Sequence, residues 1–226
     1  MIGRTNCGAG GGKVSFSINA VKSETVTISQ NGATVMTVTM PGITNASVAV
    51  TLPAGTYSFR GSVGGWTKTV TISRKTTSVN VWPDGALFWY GRNFAGGWEA
   101  NPVYSGTRPS ISFTDTSAKC NHGSGGELYS DARLYLVNRI QKGSYTALHA
   151  KINVTASNTA PRSQVGLNTS SKASSDTVSQ TFTSTGSKTV NTAIGNNSQF
   201  YVSFGCRKEG SYSYSAGIEV FAIWLE

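Results

Sequence analysis

The stretch Trp82–Trp98, WPDGALFWYGRNFAGGW, separates two textures of sequence. Before it run short segments of plain apolar–polar alternation, and after it comes a longer part with heavier segments and wider polar intervals. Its seventeen positions hold Trp82, Phe88, Trp89, Tyr90, Phe94 and Trp98, broken by glycines and one proline. That is too aromatic for a disordered linker and too interrupted for a helix. We read Trp82 as the end of a first domain, Pro83-Asp84-Gly85 (83–85) as a hinge turn, and Ala86 to Tyr90 as the opening of a second domain. The aromatics read first as packing residues. Trp82, Phe88, Trp89 and Tyr90 are also the candidates for a partner interface, because large amphipathic rings anchor such contacts.

Working toward the N-terminus, residues 14–82 alternate with period two, as half-buried strands do. Val14, Phe16 and Ile18 form one set, and Val26 with Ile28 the next. Gln30-Asn31-Gly32 predicts a hairpin, Asn-Gly being suited to a type I′ turn. Val35, Met36, Val38 and Met40 follow, then Val48, Val50 and Leu52. Pro53-Ala54-Gly55 turns into Tyr57 and Phe59, and Gly64-Gly65 precedes Val70, Ile72, Val79 and Val81. About seven short strands with turn signals between them predict a small β-sandwich. Residues 1–13, MIGRTNCGAGGGK, read as a flexible glycine-rich arm that Cys7 would anchor if it docks on a partner.

Working toward the C-terminus, Thr114 to Ser130 reads as a long polar loop, and Ala132 to Asn138 as a central strand. Leu148, Ala150, Ile152 and Val154 face inward on another strand. Val178 to Phe182 and Val190 flank Thr185-Gly186-Ser187, read as a hairpin turn. Phe200, Val202 and Phe204 alternate cleanly. In the last strand Ile218, Val220, Ala222 and Trp224 share one face, and Phe221, Ile223 and Leu225 the other. Apolar residues on both faces predict a central position. The fold class is all-β: two β-sandwich domains, 14–82 and 86–226.

The segments TVTISQNG, ASVAVTLPAGTYSFRGSVGGW and KTVTISRKTTSVNV resemble a PEGA-type or carboxypeptidase-regulatory-like, Ig-like sandwich over residues 14–82. Such domains are mostly spacers or adhesive modules. The run FTSTGSKTV…NNSQFYVSFG with the last strand EVFAIWLE resembles the jelly-roll, carbohydrate-binding-module type of sandwich over residues 86–226, as in minor structural proteins of phages and prophages. The second resemblance is one of texture and has no diagnostic motif.

Composition narrows the function classes. Only 13% of residues are charged, and the net charge of +9 is concentrated in the first 83 residues, which hold seven basic groups and one acid. Such a surface suits an acidic partner, but no Lys/Arg cluster is denser than Arg74-Lys75, which argues against sequence-directed nucleic-acid binding. No apolar run is long enough to span a membrane, and the N-terminus carries no apolar signal core, so classical secretion is not indicated. Cys7, Cys120 and Cys206 are an odd number without metal spacing, and read as thiols. A Cys120–Cys206 bridge is the alternative.

Catalytic groups are few. Cys120 and His122, with Glu127 and Asp131 nearby, are the one cluster that could hold a metal or a nucleophile. The sequence shows neither an oriented base nor an oxyanion site, and no metal site is expected there. Glu99, Asp115, Glu127 and Asp131 are the acids a glycan-cleaving enzyme would draw on. Asp84, Asp115 and Asp131 could hold a structural calcium, though no EF-hand spacing is present; no cofactor is expected otherwise. Sugar sites stack a ring on an aromatic and hold hydroxyls with Asn, Asp, Arg or Glu. Trp98 with Glu99 and Asn101 has that setting, as do Trp66 in GGWTK and Tyr129. With few catalytic groups the expectation is a non-enzymatic protein, and the second resemblance implies a virion-associated structural or adhesion protein of a tailed phage. It would be made in the host cytoplasm, form a homo-oligomer and contact capsid or tail proteins. A carbohydrate-binding module or lectin is the alternative, and a glycan-cleaving enzyme the third reading.

Overall fold

The computed structural model describes residues 12–41, 45–100, 103–104, 110–122, 129–156, 161–169, 178–209 and 215–226 of the chain. It is all-β, with two compact units, Met1–Pro83 and Asp84–Glu226. Among the described residues no helix is long and apolar enough to cross a membrane.

Among the described residues the first unit has seven strands: β1 (Lys13–Ala20), β2 (Thr25–Gln30), β3 (Ala33–Thr39), β4 (Ala46–Pro53), β5 (Gly55–Gly61), β6 (Thr67–Ile72) and β7 (Ser78–Asn80). They form a three-stranded sheet, β4-β1-β7, and a four-stranded sheet, β3-β2-β5-β6. Phe16, Ile18, Val26, Ile28, Tyr57 and Phe59 are buried, and each such side chain contributes about 1.5–3 kcal/mol. Asn31 and Gly32 join β2 to β3 with φ of 53° and 81°, the two positive values a type I′ turn requires. Pro53-Ala54-Gly55 carries the chain from one sheet to the other. The buried Tyr57 hydroxyl donates to the Pro53 carbonyl at 2.8 Å and closes that corner.

The second unit opens with β8 (Gly85–Trp89), β9 (Arg92–Asn93), β10 (Trp98–Ala100), β11 (Val103–Tyr104), β12 (Ser110–Phe113) and β13 (Ala118–His122). It continues with β14 (Tyr129–Leu136), β15 (Ile140–Gln141), β16 (Ala147–Ala156) and β17 (Pro161–Asn168). The last strands are β18 (Val178–Phe182), β19 (Gly186–Ala193), β20 (Gln199–Glu209) and β21 (Ala216–Leu225). One sheet runs β10-β14-β20-β17-β18, with β11 also on β14 and β15 on β20. The other runs β12-β13-β21-β16-β19, with β8 also on β21 and β9 on β8. From β13 onward the chain passes back and forth between the sheets, wiring reminiscent of a jelly roll. Leu148, Ile152 and Val220 of one sheet and Val165, Val202 and Phe204 of the other share one core.

Three expectations are corrected. Residues 114–130 are not one loop: β13 lies within them, with Ala118 and Cys120 fully buried. Lys119 between those small core residues, with Asn121 and His122 after them, hides the strand from a reading based on large apolar side chains. Thr185-Gly186-Ser187 is not a hairpin turn. β18 pairs with β17, β19 pairs with β16, and the segment crosses between sheets. In β21 the two faces exchange partway along. Ile152 faces Val220 but Lys151 faces Ala222, so Phe221 is an extra, bulged residue. Ile218, Val220, Ile223 and Leu225 therefore reach the core together, because a one-residue slip reverses the alternation. The strand is central, as its two apolar faces predict, with β16 on one edge and β13 and β8 sharing the other.

Candidate functional site

The stretch from Trp82 to Trp98 becomes a hairpin and a fastened loop. Gly85, expected in a turn, is the first residue of β8 and buried. A side chain there would stand 2.3 Å from the Leu225 carbonyl oxygen. Tyr90 and Gly91, with φ of 44° and 85°, form the two-residue turn from β8 to β9. The left-handed region costs a tyrosine about 1–2 kcal/mol. Tyr90 is held there by its amide, which donates to the Phe221 carbonyl at 2.7 Å, and by its ring, stacked on Phe221 at 6.2 Å. Gly91 is required outright, since a Cβ would lie 1.9 Å from the Asp115 carbonyl oxygen. This turn fills the gap where β13 and β8 divide the edge of β21. Gly91, free to take a positive φ, was the one local signal for it.

Beyond the turn, Asn93 organises the loop that carries Trp98. Its side-chain oxygen accepts from the Ala95 amide at 3.3 Å and from the Trp98 indole at 3.2 Å. Its amide nitrogen donates to the Gly96 carbonyl. Asn138 donates to the Ala95 carbonyl at 3.5 Å, and the Val137 amide to the Gly97 carbonyl at 2.9 Å. Gly96, with φ of 87°, leaves room for the Asn138 side chain. Trp98 begins β10 at the edge of its sheet, meets Phe204 edge-on with centroids 5.1 Å apart, and is half-buried. Asn93, bonded to the indole, is exposed, as are Arg92, Phe94 and Glu99 nearby in the sequence. The result is an indole fixed by Asn93 and Phe204, in a loop also held by Asn138.

The other candidates separate. Trp66 is 1% exposed and is corrected to a core residue. It fills the space that Gly61 leaves empty, since a Cβ on Gly61 would fall 2.4 Å from the indole and 2.5 Å from Glu24. Glu24 is 5% exposed, and burial raises its carboxyl to about 8; the Val63 amide and Lys22 offset only part of that. Among the described residues the Trp66 indole nitrogen has no hydrogen-bond partner, and the Glu24 carboxyl has none beyond its approach to the Val63 amide. Phe88 and Trp89, expected at a partner interface, are 1% and 0% exposed and are likewise interior. Phe88 joins the sandwich core, while Trp89 packs edge-on against Trp224 at 5.6 Å. Trp82 and Tyr90 are half-buried. Tyr129 lies on β14 opposite Glu209. Cys7 and Asn101 lie outside the described residues.

The chemical candidates resolve differently. Cys120 is fully enclosed in the sandwich core, its sulfur 4.0 Å from the Phe204 carbonyl oxygen; Cys206 is buried too, and neither forms a disulfide. Glu127 lies outside the described residues. His149 stacks on Trp224 at 5.1 Å with Glu226 3.6 Å away, and burial lowers its basicity more than Glu226 restores it. Among the described residues no three His, Cys, Asp or Glu side chains converge as a metal site. Asp84 and Asp115 are exposed loop residues.

No protein-family model matches the chain, and no curated protein sequence matches it. Among solved structures, it is similar to a carbohydrate-binding module of the β-sandwich superfamily described for promiscuous specificity. Identity is 11% over 94% of this chain and 98% of that one, with a TM-score of 0.39. A family 29 carbohydrate-binding module from Piromyces equi gives 11% identity over 62% and 87%, with a TM-score of 0.34. The N-terminal cellulose-binding domain of Cellulomonas fimi β-1,4-glucanase C gives 14% over 57% and 89%, with a TM-score of 0.33. Likenesses this distant carry no argument about ligand or mechanism.

Proposed function

We propose that this chain is a non-catalytic glycan-binding protein whose second unit, a jelly-roll-like sandwich, engages sugar at Trp98. One observation carries the reading: the half-exposed indole is fixed by Asn93 and Phe204 before any ligand arrives. A ring held in place loses little entropy on stacking a pyranose, and the exposed Asn93 beside it keeps one amide N–H for a hydroxyl. The test is affinity electrophoresis through gels containing cellulose derivatives, xylan, mannan and galactan. The expected result is retardation by at least one polysaccharide, with about tenfold weaker retardation for Trp98→Ala at unchanged fold. No retardation by any of them would overturn the reading, as would equal retardation of the variant.

A virion-borne adhesin is the setting that the sequence texture suggests for such a protein. Its expected symmetric oligomer is tested by light scattering behind a sizing column, where a monomer at all concentrations counts against self-assembly.

A further inference from the structure

The first unit carries a groove that the Trp98 reading does not use. It lies on the face of the sheet β3-β2-β5-β6 and encloses about 780 Å³. Cross-strand register explains its lining. One row across the strands is Thr27, Arg60 and Thr67, and the next is Thr34, Ser29, Ser58 and Thr69. These residues alternate with buried Val26, Ile28, Phe59 and their neighbours, so their side chains stand on the outer face. The face is curved for a local reason. Ile28 faces Met36 but Ser29 faces Thr34, so Val35 is an extra residue, and it is 46% exposed. Such a bulge bends the β2–β3 hairpin, whose tip residues Gln30, Asn31 and Gly32 line the groove.

The lining has one chemical character. Among the described residues, seven that line it are threonine or serine, Arg60 is the only charged one, and no carboxylate lines it. Tyr57 borders it, but its ring is 2% exposed and its hydroxyl is committed to Pro53. Hydroxyls repeated at a strand spacing of about 4.8 Å both donate and accept, which suits a polyhydroxylated chain. The exposed Arg60 guanidinium, without an acidic neighbour in the groove, offers two parallel N–H groups to a carboxylate. A nucleic acid fits less well, because one cation releases few counterions and no exposed ring offers a stacking surface.

We propose that this groove is a binding site for an acidic saccharide, with Arg60 pairing a uronate carboxylate and the Thr/Ser rows holding ring hydroxyls. The site is separate from Trp98 and does not depend on it. The test is affinity electrophoresis of the full chain in polygalacturonate and in the same polymer methyl-esterified. Arg60→Ala is the site variant. Arg74→Ala removes the same charge from an exposed position outside the groove.

The expected result is retardation by polygalacturonate and little by the ester, a loss of about tenfold or more in Arg60→Ala, and near-normal behaviour in Arg74→Ala and Trp98→Ala. Arg60→Lys is expected to fall between, since it keeps the charge and loses the fork. Absence of retardation by polygalacturonate would overturn the site. Equal losses in Arg60→Ala and Arg74→Ala would reduce it to diffuse charge and also overturn it. Loss in Trp98→Ala with full retention in Arg60→Ala would move binding to the second unit, overturning this site and leaving the Trp98 reading standing. Single-stranded DNA bound as strongly, and dependent on Arg60, would replace the saccharide with a nucleic acid and refute the proposal.

Discussion

The tripeptide Gly-Gly-Trp occurs twice, at Gly64-Gly65-Trp66 and at Gly96-Gly97-Trp98, with opposite outcomes. In the first unit the indole turns inward to 1% exposure and occupies the place of an absent side chain at Gly61. In the second it begins an edge strand, touches Phe204 with one edge and stays half-exposed, tied to Asn93. Local sequence is the same, so exposure is decided by what stands across the strand. A glycine partner leaves a slot to fill, whereas Leu136, the partner of Trp98, keeps that ring shallower.

The largest expected effect is the difference between the two truncations. Trp66→Ala removes a core ring and is expected to cost about 3–5 kcal/mol in urea unfolding. Trp98→Ala is expected to cost about 1–2 kcal/mol, in keeping with partial burial. Equal costs would erase the comparison.

The next effect is proton-linked. Glu24 carries a folded-state pKa of about 8 against 4.5 in the unfolded chain. Between those values the native state binds more protons than the unfolded state, so stability falls as pH rises through the window and levels above it. The loss between pH 5 and pH 9 is expected to be on the order of a few kcal/mol. Glu24→Gln should flatten that slope and be the more stable protein at pH 9. An unchanged slope would place the titration elsewhere.

Gly61→Ala tests the same slot from its other side. The new methyl group must displace Trp66 or Glu24, at about 1–3 kcal/mol. The smallest effect is expected for Asn93→Ala. It removes the acceptor of the Trp98 indole for about 1 kcal/mol or less, yet should broaden the Trp98 fluorescence environment and weaken glycan retardation.

The sequence made legible the features set by local chemistry. Alternation located all seven strands of the first unit, and Asn31-Gly32 specified its turn because the left-handed region admits few other pairs. The inward set Leu148, Ala150, Ile152 and Val154 was equally plain. What stayed hidden depends on partners distant in the chain. The bulge at Phe221 inverts the last strand's faces through pairing with Lys151 and Ile152. The segment at Gly186 looks like a hairpin but crosses between sheets, because β17 and β16 claim the strands on either side. Trp66 could not be placed indoors without knowing that Gly61 lies opposite. At the candidate site the sequence picked out Trp98 and Glu99, but not Asn93, whose bonds are made by a loop geometry that no spacing announces.

The central claim is that Trp98 is the ring that meets sugar, while Trp66, Trp89 and Trp224 stay in the interior. The most direct measurement follows the indole N–H signals of the five tryptophans by two-dimensional NMR during titration with cello-, xylo-, manno- and galacto-oligosaccharides. The resonance missing in Trp98→Ala should move with one of these ligands, while those of Trp66, Trp89 and Trp224 stay fixed. A Trp98 signal that stays still throughout would contradict the account.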